Sequence, residues 1–379
     1  MSNADAQTGE LQVELRPEVA ALPKYVAGAR PAKGQQLVKL SSNENPYHPL
    51  RAVLEAINTA ALDINRYPDM NNAELTELLA RKAGVAPSQV ALGNGSVALL
   101  AHILSAVVQP GDEVIFGWRS FEAYPIVVAV AGGVGVQVPL AANGANDLAA
   151  MAAAITDKTR VIFVCSPNNP TGATVTENDF EEFMQKVPPH VLVVLDEAYV
   201  EFVRDPDAVN GLKLLSKYPN LLTLRTLSKA HGLAGLRIGY AFGHPDIIAG
   251  IRATATPFGV NLLAQAAALA SFTTGSEQVL SHRVGAIVAE RSRVLGELRK
   301  QGWKVPDAQG NFVWLPLGAK TEELTQSARE DGILVRPFAN EGVRVTIADG
   351  AANNQFLWLA DRWAKEVTDT DRDAILLQD

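Results

Sequence analysis

Between residues 134 and 196 the chain alternates short apolar, β-branched runs (134–140, 160–165, 191–196) with stretches of helical periodicity (148–155, 177–186). Apolar runs without polar alternation suit strands buried on both faces, and strands joined through helices assemble into parallel sheets. The expected fold is therefore α/β, a mainly parallel sheet with helices on both faces. The same rhythm reaches upstream, with strands at 89–92 and 113–117 and helices at 50–61 and 97–107, and downstream to a strand at 237–242. Helices follow at 245–255 and 261–272. A long amphipathic helix, 276–300, is placed to connect two domains. Beyond residue 303, strands at 312–315, 333–335 and 343–347 with intervening helices read as a smaller α+β domain. A chain of 379 residues exceeds one ordinary core. The expected division is an arm with part of the small domain (1–45), a large domain (46–275) and a small C-terminal domain (276–379).

Composition excludes several functions. The formal charge is −8 and there is no basic run, so nucleic acid and anionic membranes are poor partners, and any carboxylate ligand must be caught by local arginines. The most apolar window, 124–138, is broken by Gly132, Gly133 and Gly135 and is too short to span a bilayer. Residues 1–18 lack the apolar centre of a signal peptide. Cys165 is the only cysteine, which rules out an internal disulfide and suits a reducing cytoplasm. The six histidines show no paired ligand spacing, so no structural metal is expected.

The polar residues at the expected strand ends carry the chemistry. Thr226-Leu227-Ser228-Lys229-Ala230-His231-Gly232-Leu233-Ala234-Gly235-Leu236-Arg237 sets one lysine among small, hydroxylated and glycyl residues. Such neighbours leave room for a ring on the amine of Lys229, and desolvation would make it nucleophilic, as a Schiff-base lysine requires. Thr226, Ser228 and the fork of Arg237 suit a phosphate ester. Gly93-Asn94-Gly95-Ser96 opens the helix 97–107, and the amides of Gly95, Ser96 and Val97 offer an anion site there. The pattern lacks the third glycine and the downstream acid of a dinucleotide fingerprint. Asp196 ends the run 191–196, where an acid could keep a pyridinium nitrogen protonated; Tyr199 follows three residues later. Ser166-Pro167-Asn168-Asn169-Pro170-Thr171-Gly172 adds Asn169.

Asn169, Asp196, Tyr199, Lys229 and Arg237, in that order and spacing, resemble the signature of the fold type I pyridoxal phosphate enzymes, and of the aspartate aminotransferase superfamily in particular. The resemblance implies a seven-stranded-type sheet and pyridoxal 5′-phosphate as cofactor. It implies that Lys229 bonds the cofactor and moves the substrate proton, that Asp196 pairs with the pyridine nitrogen, that Tyr199 and Asn169 contact the ring 3-oxygen, and that Thr226, Ser228 and Arg237 share the phosphate. Phe121, in Trp118-Arg119-Ser120-Phe121-Glu122-Ala123-Tyr124, stands where the family stacks an aromatic ring on the cofactor.

The closest resemblance within the superfamily is to the histidinol-phosphate aminotransferase group. There the arm carrying Tyr25 lies over the active site, Asn45 of Asn43-Glu44-Asn45-Pro46 borders the substrate, and Tyr67 of Arg66-Tyr67-Pro68-Asp69 reaches the cofactor phosphate of a second subunit, making the enzyme a homodimer. Arg344, in Val343-Arg344-Val345-Thr346-Ile347, matches the superfamily's carboxylate-binding arginine, with Arg336 a second substrate candidate. Phe338-Ala339-Asn340 looks like the Phe-Ala-Asn box of aromatic aminotransferases and makes Asn340 a substrate contact. The expectation is a cytoplasmic aminotransferase exchanging amino groups between aromatic amino acids and 2-oxoglutarate. The alternatives are a histidinol-phosphate aminotransferase and a catalytically retired binding protein on the same fold.

Overall fold

The computed structural model describes residues 13–22, 28 and 37–366. The strands are β1 (Val38–Lys39), β2 (Val90–Gly93), β3 (Glu113–Trp118), β4 (Val134–Pro139), β5 (Thr159–Cys165), β6 (Leu192–Asp196), β7 (Leu221–Thr226), β8 (Gly239–Phe242), β9 (Phe312–Pro316), β10 (Ile333–Leu334), β11 (Arg336–Phe338) and β12 (Gly342–Thr346). Seven of them form one sheet in the order β2-β8-β7-β6-β5-β3-β4, parallel except for β8, which runs antiparallel to both neighbours. This is the expected mainly parallel α/β sheet.

The helices are α1 (Pro17–Ala20), α2 (Arg51–Ala60), α3 (Ala73–Ala83), α4 (Ser96–Val107), α5 (Ala123–Val130), α6 (Leu148–Ala153), α7 (Glu177–Met184), α8 (Gly211–Leu214), α9 (Pro245–Thr254), α10 (Leu262–Ser271), α11 (Thr274–Lys300), α12 (Thr321–Glu330) and α13 (Gly350–Glu366). Alternate residues of the central strands serve different helical layers. Val161, Phe163 and Cys165 of β5 pack with Leu99, Ile103 and Leu104 of α4, Tyr124 and Val128 of α5 and Ile251 of α9. Ile162 and Val164 face Met151 of α6 and Phe180 and Phe183 of α7. Both faces are covered, which is why these strands read as unbroken apolar runs.

A smaller domain has its own core. Trp303, Phe312, Leu315, Ile333, Val343, Phe356 and Trp363 cluster with Val294 and Leu298 from the end of α11 and with Leu40 from the N-terminal side. Its three-stranded antiparallel sheet runs β11-β12-β9, while β1 pairs in parallel with β10. The segment after β1 stays attached, since Asn43 N donates to Thr346 Oγ1 (2.8 Å).

Three element boundaries differ from expectation for local reasons. The long helix starts at Thr274 rather than residue 276, because the Thr273 hydroxyl accepts from Ser276 N and caps it. The expected strand 333–335 divides into β10 and β11, which serve different sheets. Arg237 is not in a strand: at φ +57° it turns out of the chain direction before β8 begins at Gly239, and that turn aims its guanidinium back at Ser228.

Candidate active site

The parallel strands end at one rim, and their C-terminal residues meet there, as open α/β sheets dictate. Asp196 closes β6, Thr226 closes β7, and Asn169 lies in the loop after β5. With Lys229, Tyr199, Ser228, Arg237, Ser96, Val97, Phe121, Arg336 and Arg344 they line a cavity of about 370 Å³. Thirteen of the seventeen candidates, counting Gly95 in the adjoining backbone cradle, thus come together. The other four are Asn45, Tyr67, Asn340 and Tyr25.

The anion cradle comes from backbone geometry. Gly95 caps α4 at φ +83°, a conformation that L side chains rarely adopt, and a Cβ there would run into the guanidinium of Arg237. The first-turn amides of α4 have no partner within the helix, so those of Ser96 and Val97 are free to receive an anion. Thr226 Oγ1 donates to Ser228 Oγ (3.0 Å), which accepts from Arg237 Nη1 (3.3 Å). Amides, two hydroxyls and a guanidinium around one spot make a donor set fitted to a phosphate ester.

Lys229 faces the cavity, its Nζ directed at the carbonyl of Ser42 (3.5 Å) and lying 5.8 Å from the Tyr199 ring centroid. Desolvation, with Arg344 and Arg237 adding like charge, lowers its pKa to about 7. A large share of the amine is therefore neutral and nucleophilic near neutral pH, far more than for an ordinary lysine. Asp196, 3% exposed, is pushed up to about 6 by burial, while hydrogen bonds from Tyr124 Oη (2.8 Å to Oδ2) and Ala198 N (3.2 Å to Oδ1) favour its charged form. A buried carboxylate with two donors fits a protonated ring nitrogen. Tyr199 is held by Asn43 Nδ2, which donates to its hydroxyl (3.0 Å), and burial raises its pKa. These residues fit pyridoxal phosphate: an anion cradle at one end, an acid at the other, and a lysine between.

Arg344 enters from β12. Its Nη1 donates to Asn169 Oδ1 (2.6 Å) and its Nη2 to Ser41 O (2.8 Å). Arg336 of β11 lies directly opposite it in the antiparallel register and is ion-paired with Glu122.

Four candidates are placed differently. Asn340 is exposed at φ +59° in the turn between β11 and β12; the pairing of Phe338 with Gly342 puts it at the hairpin tip, away from the cavity, where a left-handed residue is needed. Phe338 of the same box is buried against Trp314, beneath Arg336 and Arg344. Asn45 does not line the cavity; its Nδ2 donates to the carbonyls of Ala230 (2.8 Å) and Lys229 (3.3 Å) and so latches the lysine loop. Tyr67 is 82% exposed and stacks on Phe258 (4.6 Å), outside this chain's own cavity. Tyr25 lies outside the described residues.

Sequence reasoning missed Tyr124, Glu122 and Asn168. Tyr124 follows Phe121 by three residues at the start of α5, a spacing that puts both on one side of a helical turn. Asn168, fully buried, joins the loop of Phe121 to that of Asn169: its Oδ1 accepts from Ser120 Oγ (2.7 Å) and its Nδ2 donates to Arg119 O (3.1 Å) and Thr171 Oγ1 (3.0 Å). Glu122 carries no local signal, because its partner lies 214 residues away.

The pattern of class I and II aminotransferases matches residues 35–355, nearly the whole described chain. This chain belongs to that family. The aminotransferase is 51% identical over 359 residues to the aromatic amino acid aminotransferase of Streptomyces avermitilis, covering 94% of this chain and 99% of the relative. It is 49% identical to the protein of the same name from Streptomyces coelicolor, with equal coverage. Among solved structures it is similar to the histidinol-phosphate aminotransferase of Sinorhizobium meliloti in complex with pyridoxal-5′-phosphate (TM-score 0.85, 28% identity, covering 93% of this chain and 98% of that one). It also resembles a mutant aspartate aminotransferase of Thermus thermophilus (TM-score 0.79, 25% identity, covering 93% and 99%). Among the described residues no helix is long and apolar enough to cross a membrane.

Proposed function

We propose that this aminotransferase uses pyridoxal phosphate to transfer amino groups between aromatic amino acids and 2-oxoglutarate. The observation that carries the reading is the convergence of Lys229, Asp196, Asn169 and the phosphate cradle in one cavity with Arg344. The aromatic substrate is supported by the names of relatives near 50% identity.

The bound cofactor supplies an electron-withdrawing ring that stabilises negative charge at the substrate α-carbon. Ser96, Val97, Thr226, Ser228 and Arg237 would hold the phosphate, and the charged Asp196 would keep the ring nitrogen protonated. Phe121 would lie against the ring, and Tyr199 and Asn169 would be the donors to its 3-oxygen. Arg344 clamps the substrate carboxylate and thereby orients the Cα–H bond. Lys229, increasingly neutral as pH rises through about 7, would serve as the base that takes that proton.

The working form in this reading is a cytoplasmic homodimer. Leu62, Ile64, Tyr67, Met70 and Phe258 are all exposed, an apolar set that a second copy would cover, and Tyr67 stands among them ready to reach that copy's phosphate. The single buried Cys165 suits a reducing compartment. The division at residues 45 and 275 is likewise our reading, supported by β1 pairing with β10 and by the separate cluster around Trp303.

The deciding measurement is kcat/KM for phenylalanine, tyrosine and histidinol phosphate, each with 2-oxoglutarate. Preference for the aromatic acids is expected. Preference for histidinol phosphate would overturn the substrate and leave the chemistry standing.

A further inference from the structure

Arg336 and Arg344 are cross-strand partners on adjacent antiparallel strands, and both line the cavity at 7% exposure. Like charges placed directly opposite each other repel, the more so when water is largely excluded. An aromatic amino acid brings one carboxylate to this pair. The protein itself brings the second: Glu122 pairs with Arg336 from the loop ahead of α5 and also lines the cavity. That loop is pinned to the same hairpin at a second point, where Arg119 pairs with Glu341, so Glu122 is held in place rather than swinging in solvent.

We propose that Glu122 determines side-chain specificity by occupying Arg336 with an internal carboxylate. The proposal rests on the aromatic-substrate reading and extends it. A substrate with an uncharged side chain leaves the pair intact. One carrying a second carboxylate must displace Glu122 to reach Arg336 and faces its repulsion while doing so. 2-Oxoglutarate and other dicarboxylates bind against this opposition. Without Glu122 the buried Arg336 would lack its counter-charge, a deficit that an anionic side chain would fill.

The test uses the cofactor-loaded enzyme and two unreactive probes, glutarate and 3-phenylpropionate, with binding measured by calorimetry. In Glu122→Gln, whose amide oxygen can still accept from Arg336, the affinity ratio of glutarate to 3-phenylpropionate is expected to rise about tenfold or more, the effect of one partly desolvated charge contact. In an Arg336→Gln background the same substitution is expected to leave the ratio unmoved. An unchanged ratio in the single variant, or a rise that persists without Arg336, overturns the proposal. Should Glu122→Gln fail to fold, Arg336→Gln alone decides: glutarate must weaken relative to 3-phenylpropionate, and an unchanged ratio refutes it. Wild-type turnover of phenylalanine against histidinol phosphate tests the substrate reading separately, so the two failures are distinguishable.

Discussion

Replacing Tyr124 by Phe removes one hydroxyl from a fully buried place, and the consequence depends on pH in a calculable way. That hydroxyl donates to Asp196 Oδ2 at 2.8 Å, and the Asp196 pKa is raised from 3.8 to about 6, chiefly by burial. A raised acid favours the protonated form in the folded state. Its stabilising contribution is therefore complete below 3.8 and is lost as pH rises through about 6. Tyr124 opposes that loss by holding the carboxylate, and a hydrogen bond to a charged group is worth roughly 1.5–3 kcal/mol. In Tyr124→Phe the pKa of Asp196 rises further and the loss extends to higher pH. The expected destabilisation is about 2 kcal/mol at pH 8 and under about 1 kcal/mol at pH 5, where Asp196 is mostly protonated in either protein. Urea denaturation of the cofactor-free protein at fixed concentration measures both values. Equal destabilisation at the two pH values would refute the reasoning, because it would mean the hydroxyl does not act on the charge of Asp196.

Lys229 in the cofactor-free protein should react with a small neutral amine reagent at a rate that levels off just above pH 7, and a midpoint near 10.5, the ordinary lysine value, would contradict the burial argument. Gly95→Ala forces a methyl toward Arg237 at φ +83°, so cofactor affinity, followed by fluorescence titration, should weaken about tenfold or more; unchanged affinity would mean the cradle is elsewhere. Arg344→Gln should lower kcat/KM about a hundredfold for donor and acceptor alike, since both carry the carboxylate it clamps, and a loss confined to one of them would assign the anchor to another residue.

Much of this site was legible before any fold was known. Lys229, Asp196, Thr226 and Asn169 sit at or just beyond strand ends, and in a parallel sheet all strand ends of one polarity share a rim, so reading the strands also collects the polar residues. Gly95 was legible for a related reason, because glycines at a helix start announce backbone conformations closed to other residues. Asn340 shows the opposite case. Its identity reflects the left-handed turn it occupies, and a residue chosen for backbone conformation looks, in one dimension, like one chosen for contact with a ligand.

What the sequence determined alone was the alternation of elements, the parallel sheet that follows from buried β-branched runs, and the lysine, acid and hydroxyls at the strand ends. Those follow from local chemistry, which spacing along the chain preserves. The tertiary structure decided everything that depends on juxtaposition: that Tyr124 supports Asp196, that Asn45 bonds the lysine loop, and that Glu122 meets Arg336 across 214 residues. Contacts of that kind leave no periodicity to read, because the two partners belong to different elements that only the tertiary packing brings together.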